Sequence, residues 1–230
     1  MATILNIETS TNVCSVALGS DGQIVAHNEN YEGLSHATLL SQFIKDALDT
    51  AARKTLHIDA IAVSIGPGSY TGLRIGMSQA KGLAFGLELP LIGINTLQLL
   101  TVSAMFSDFF DDDVLFVPMI DARRMEVYTA VYNSALESIM EPQPMILDEN
   151  SLSDLLHINK LVLMGNGAEK ASKVISNPNA QFVPNIKPVA VDMLALSEKA
   201  FREQRFIDVA YSTPLYLKDF QATIPKKKVL

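Results

Sequence analysis

Twice along this chain a set of β-rich runs joined by tight turns gives way to alternating helix and strand patterns. That order restricts the fold more than any single residue does. The first pass opens with "ATILNIETS", "VCSVALG" and "IVAHNENYE", strand-like runs separated by a polar turn and by the turn signal "SDGQ". In "SHATLLSQFIKDALDTAARK", Leu39, Leu40, Phe43, Ile44, Ala47, Leu48 and Ala51 recur at helical spacing, with Ser35 placed to cap the helix. "DAIAVSIG" is apolar without alternation, as in a strand covered on both faces. The "GPGSYTG" loop then leads into a helix reaching about Leu87, followed by the strand "LPLIGIN" and the helix "TLQLLTVSAMFS".

The polar, acidic stretch "SDFFDDD" interrupts this pattern near Asp108, and the pattern then restarts. "VLFVPMIDARRMEVYTAVYNS" reads as strand, turn and strand with the turn at "DARR", and "LESIMEPQPMIL" continues as a strand with prolines at its edges. A short helix "SLSDLLHI", a strand and glycine turn "KLVLMGNG", and helices at "AEKASKVIS" and "VDMLALSEKAFREQR" complete it. The repeated order predicts a duplicated α/β unit of ribonuclease-H-like type. The expected lobes are residues 1–107 and 108–230, with the C-terminal segment returning to pack on the first.

The 230 residues suffice for a sizeable core, and 48% hydrophobic with 19% charged residues describes an ordered globular chain. A net charge of -7 disfavours nucleic-acid binding by this chain alone, since phosphate neutralisation needs clustered Lys and Arg. The basic run Lys226-Lys227-Lys228 is read first as a solvated tail. The lone cysteine, Cys14, permits neither an intrachain disulfide nor a cysteine-based zinc site, and its strand context predicts a small core residue. Glu8 and the missing basic leader argue against a signal peptide, and no apolar run spans a bilayer, so the cytoplasm is the expected location.

The stretch "SIGPGSYTGLRIGMSQAKGLAF" carries the most specific pattern. Gly66, Pro67, Gly68 and Ser69 form a stiff turn between a strand and a helix start, a place suited to an anion. Gly66, Gly68 and Gly72 follow neither the dinucleotide fingerprint nor a Walker loop, so a structural turn that orients the next helix is preferred. In that helix Gly72, Gly76 and Ala80 share one face, flanked by Leu73 and Met77. Interior glycines weaken a helix by about 1 kcal/mol each, which close packing against another helix would offset. That partner is either internal or a second subunit; the expectation is a subunit interface, with Gly76→Leu abolishing association while leaving the monomer folded.

The turn at Glu8, Thr9 and Ser10 holds an acid and hydroxyls where actin-like ATPases place an acid, and Gly165 and Gly167 close a later strand. These five are weak candidates for holding a nucleotide phosphate, against a plain turn-forming role. His27, His36, His57 and His157 show no metal-pair spacing, and His36 is expected to be exposed or a local cap. Arg123 and Arg124, beside Asp121, either grip a phosphate or carboxylate or form surface ion pairs of small energetic value.

Taken together, "ILNIETSTNVCSVAL", "SIGPGSYTGLRIGMSQAKGLAF", "PLIGINTLQLL", "DARRMEVY" and "PLYLK" resemble the TsaB (YeaZ) family, over nearly the whole chain. The resemblance implies the actin-like, sugar-kinase and Hsp70-like fold with two ribonuclease-H-like lobes. It also implies a non-catalytic subunit that binds TsaD, and TsaE with it, to support threonylcarbamoyl transfer to N6 of adenosine 37 in tRNAs reading ANN codons. Family contacts run through the first-lobe helices, to TsaD or to a second copy in a homodimer, and tRNA is bound only within the complex. The metal-binding histidines of the related TsaD fall here on Thr96 and Leu100, and its acidic pair falls on Asn12 and Val13. No metal and no resident cofactor are therefore expected, leaving open an adenine nucleotide at a subunit boundary. The alternative reading is an independent actin-like ATPase or small-molecule kinase. A peptidase has no Ser-His-Asp, Cys-His or H-E-x-x-H arrangement behind it.

Overall fold

The structure is a computed structural model that describes residues 2–33 and 36–218. Ser35 and the Lys226–Lys228 run lie outside these described residues. The strands β1 (Thr3–Glu8), β2 (Cys14–Ser20) and β3 (Gln23–Asn30) form an antiparallel meander. The parallel strands β4 (Ala60–Gly66) and β5 (Leu91–Asn95) extend it, giving the order β3-β2-β1-β4-β5. A second sheet repeats this arrangement with β6 (Leu115–Asp121), β7 (Glu126–Tyr132), β8 (Ser138–Ile146), β9 (Leu161–Met164) and β10 (Ala180–Val183), in the order β10-β9-β6-β7-β8. Each sheet is thus an antiparallel meander carrying two parallel strands on its first member. This is the duplicated α/β unit of ribonuclease-H-like type that the repeated element order predicts.

Helices α1 (His36–Arg53) and α2 (Tyr70–Gly86) cover one face of the first sheet, and Leu40, Ile44, Met77 and Ala84 meet Leu5, Ile7 and Val63 there. Ser69 caps α2 by accepting a hydrogen bond from Gly72 N at 3.2 Å, and Asn95 caps α3 (Thr96–Ser107). The opposite face is covered by α3, by a 3-10 turn at Ala190–Met193 and by α6 (Leu194–Arg202). The short helices α4 (Ser153–Leu156) and α5 (Ala168–Ala171) complete the second sheet's cover. The "AEKASKVIS" helix is thus a single turn, and "VDMLALSEKAFREQR" enters its α-helix only at Leu194.

After α6 the chain runs back along the first lobe. Ile207 pairs with Leu91 at the β5 edge, and Leu215 N donates to Ile65 O at 2.7 Å. Lys81 Nζ holds the carbonyls of Ala210 and Ser212 at 2.8 and 3.0 Å. Lys218 then forms an ion pair with Glu126 of β7, so this strap touches both sheets' elements. Cys14 is fully buried, as its strand context predicts. Among the described residues no helix is long and apolar enough to cross a membrane.

Candidate functional site

The end of β1, the loop after β4 and the start of α2 meet at one point. Glu8, Thr9 and Ser10 are completely buried. Ser10 donates both its backbone N–H and its hydroxyl to Glu8 Oε1. Burial pushes the Glu8 carboxyl up to about 7, against the opposing pull of the Ser10 and Ser64 hydrogen bonds. The same burial, with the Glu8 charge, pushes the Cys14 thiol up to about 11.

The GPGS loop is seated against this turn. Ser69 N donates to Ser10 O at 2.6 Å, and a Cβ on Gly68 would lie 2.2 Å from the same oxygen. Gly66, at φ +111°, lies against Leu215 O. The loop's backbone is thus packed on the chain's own turn and strap, and its last residue caps α2.

The small-residue face of α2 corrects the interface expectation. Gly72, Leu73, Gly76, Met77 and Ala80 are all buried within the subunit. A Cβ on Gly72 would sit 2.1 Å from Thr9 O, and one on Gly76 would sit 2.2 Å from Thr9 Oγ1. Thr9 Oγ1 donates to Gly72 O at 2.8 Å, locking the helix onto β1. The close approach that the glycine spacing signals is made to the Glu8–Ser10 turn, not to another helix. All five are taken up in packing within the chain, and Gly76→Leu would break the monomer itself.

The outer face of α2 is a different set of residues. Tyr70, Arg74, Ile75, Gln79 and Leu83 line a groove of about 720 Å³ whose far wall is α1 at Ala37. Gln79 Nε2 bridges to Ser41 of α1 at 3.2 Å. The Arg74 guanidinium lies 5.0 Å from the Tyr70 ring centre, and Tyr216 of the strap packs on Tyr70 at 5.2 Å between centroids. Phe85, 80% exposed in the last turn of α2, and Leu87 at its C-cap are further exposed apolar residues at this end of the helix. Reading α2 as a helix with two distinct faces would have separated these residues from the stripe; Tyr216 had no local signal.

The nucleotide candidates are held in packing within the chain. Glu8, Thr9 and Ser10 are fully buried, and Thr11, Asn12 and Val13 of that turn line the space between the lobes. Gly165, at φ +96°, and Gly167 pack on Met119 of β6, and Gly167 N donates to Met119 O at 3.0 Å. Asn166 between them faces the cleft instead. The cleft's cavity is about 120 Å³, and Lys187 closes over the Tyr31 ring at 5.0 Å. Small-molecule sites usually measure roughly 300–1,000 Å³.

His36 is buried, with Nε2 3.0 Å from Val13 O, so it is a packed residue and not an exposed one. Thr96 and Leu100 are buried on α3. Among the described residues no group of three or more His, Cys, Asp or Glu side chains converges.

Sequence and structure comparisons fit this arrangement. The family model described as "TsaD: tRNA N6-adenosine threonylcarbamoyltransferase" matches residues 32–224. The tRNA threonylcarbamoyladenosine biosynthesis protein TsaB of Escherichia coli K12 is 32% identical over 231 residues, covering 94% of each chain. The Bacillus subtilis protein of the same name is 34% identical over 148 residues, covering 63% of this chain and 62% of its own. YeaZ from Pseudomonas aeruginosa superposes with a TM-score of 0.79 at 28% identity, covering 94% of this chain and all of the other. By its duplicated fold, its full-length similarity and its matched motifs, this chain belongs to the TsaB (YeaZ) family.

Proposed function

We propose that this chain acts in tRNA threonylcarbamoyladenosine biosynthesis as a non-catalytic scaffold subunit. It binds TsaD, and TsaE with it, through the outer faces of α1 and α2. It supports transfer of the threonylcarbamoyl group to N6 of adenosine 37 without contributing reacting groups. In the absence of TsaD the same face takes a second copy of this chain.

One observation carries this reading: α2 is fixed from behind by Thr9 and Ser69, and its outer face forms an open groove with α1. A helix held this rigidly presents its outer residues in one geometry, which lowers the ordering cost of docking. The residues at the positions of TsaD's metal ligands support the non-catalytic part. Thr96 offers a buried hydroxyl and Leu100 an alkyl group, neither of which replaces an imidazole. Such a pair does not fit a divalent metal, and no step is assigned to one.

The kinase or ATPase alternative needs room for a nucleotide between the lobes, where a cavity of only about 120 Å³ favours the scaffold reading. The deciding experiment is mass photometry of the chain alone and mixed with TsaD of the same organism, with and without TsaE and ATP. Exposed Ser78 on the outer face of α2 is the position to perturb. Ser78→Arg should weaken the TsaD complex at least tenfold with unchanged circular dichroism. A monomer indifferent to TsaD, or a Ser78→Arg chain that binds normally, would refute this placement.

A further inference from the structure

The hairpin that joins β6 to β7 turns through Ala122, Arg123, Arg124 and Met125. Both arginines have positive φ, 70° and 48°. Residues other than glycine rarely adopt this left-handed region, and Asn and Asp do so most readily, because a side chain there clashes with its own backbone. Two adjacent arginines are therefore a poor choice on turn chemistry alone. Unfavourable backbone of this kind persists where the surrounding structure holds it, and it concentrates at functional positions.

The surrounding structure does hold it. Lys170 Nζ, from α5, donates to Arg124 O and Asp121 Oδ1 at 2.8 Å each and also to Glu126 O. Its side chain is only 13% exposed. Asp121 Oδ1 also accepts from Arg123 N, Asp121 N donates to Asn166 Oδ1 at 2.9 Å, and Glu126 N closes the turn on Arg123 O at 3.1 Å. The arrangement takes up both neighbouring carboxylates: Asp121 is paired with Lys170, and Glu126 with Lys218. Arg123 and Arg124 are left exposed, and neither forms an ion pair among the described residues. On a chain with a net charge of -7, this tip carries two unneutralised guanidinium groups.

We propose that the Arg123–Arg124 tip is a phosphate-binding site. Guanidinium groups bind phosphate oxygens in a fork geometry that ammonium groups do not reproduce. The phosphate would come from an RNA backbone or from a free nucleotide or pyrophosphate. A convex tip favours the backbone, which can run past it without needing an enclosing pocket. The site lies on the second lobe and does not depend on the α1–α2 docking face, so the two readings fail separately.

The test uses the full chain at low salt, with fluorescently labelled tRNA as one probe and inorganic pyrophosphate and ATP as the others. The informative variant is the pair Arg123→Gly and Arg124→Gly, because glycine is unstrained at positive φ. It should melt no lower than the parent chain, so that lost binding is not lost folding. Weak tRNA binding by the parent chain should fall at least fivefold in this variant. The slope of log affinity against log salt should shrink by about 1–2, one for each phosphate contact removed. The pair Arg123→Lys and Arg124→Lys should keep most of the salt slope and lose affinity. Pyrophosphate or ATP binding that the glycine pair abolishes would assign the site to small anions. Absence of binding to every probe, or identical affinities and slopes for parent and glycine pair, would overturn the proposal.

Discussion

Gly76→Ala should destabilise the protein, although helix propensity alone says the opposite. An alanine in a helix interior is about 1 kcal/mol better than a glycine. At this position the new Cβ would stand 2.2 Å from Thr9 Oγ1, with Thr9 Cβ at 3.4 Å behind it. Thr9 cannot swing aside freely, because its hydroxyl is buried and donates to Gly72 O. Forcing a methyl into a packed contact costs about 1–3 kcal/mol, and displacing a buried hydroxyl from its acceptor costs another 1–3 kcal/mol. The net expectation is a loss of about 2–3 kcal/mol, or roughly 5–10 °C in melting temperature for a domain of this size. Gly82, in the same helix, has nothing within 4 Å of where its Cβ would stand. Gly82→Ala should therefore gain up to about 1 kcal/mol. Thermal and urea unfolding followed by circular dichroism measures both. Adding Thr9→Ala to Gly76→Ala should recover at least about 1 kcal/mol of coupling, since the obstructing oxygen is then gone. A Gly76→Ala chain as stable as the parent would refute the argument that Thr9 holds α2 through this contact.

The Glu8 carboxyl, ordinarily at 4.5 and held at about 7 in the native chain, makes stability pH-dependent in a defined direction. Between these values the native state keeps a proton that the unfolded state releases, so stability falls as pH rises through the window and is level above it. The total is about 3 kcal/mol, and Glu8→Gln should flatten the curve and be the more stable chain above pH 7, as urea titrations across pH would show. Lys170→Met leaves Arg124 O, Glu126 O and Asp121 Oδ1 without their shared donor. It should cost about 1–3 kcal/mol and raise amide hydrogen exchange across the β6–β7 turn.

The strand meanders were legible because alternation, turn residues and unbroken apolar runs each report on local burial. α2 was legible as a helix for the same reason, and its glycine spacing correctly signalled a close approach. What spacing cannot report is which surface comes close. Thr9 is 63 residues from Gly72 along the chain, and nothing near either position marks the pairing. His36 was misplaced because a polar residue at a helix start is usually solvated, whereas here Val13 O is positioned to meet its ring. Lys170 gave no local signal, since its role at the "DARR" turn arises when α5 packs beside β6. The exposed half of the α2 surface was readable as polar positions between the small ones, but its extension through Tyr216 depended on the strap's path.

That path also bears on how the molecule is made. One face of the first sheet is covered by Ala190, Met193, Leu196 and Ala200, and its β5 edge is met by Ile207. Strands β1 to β5 are synthesised long before these residues, so they leave the ribosome with Ile4, Ala17, Ala62 and Ile92 lacking that part of their cover. The nascent first lobe must wait, exposed to chaperones and to other nascent chains, for apolar residues encoded roughly a hundred codons later. The second sheet, whose strands and short helices follow one another closely, meets most of its cover as it emerges. Of the two lobes, the one made first is therefore the last to close.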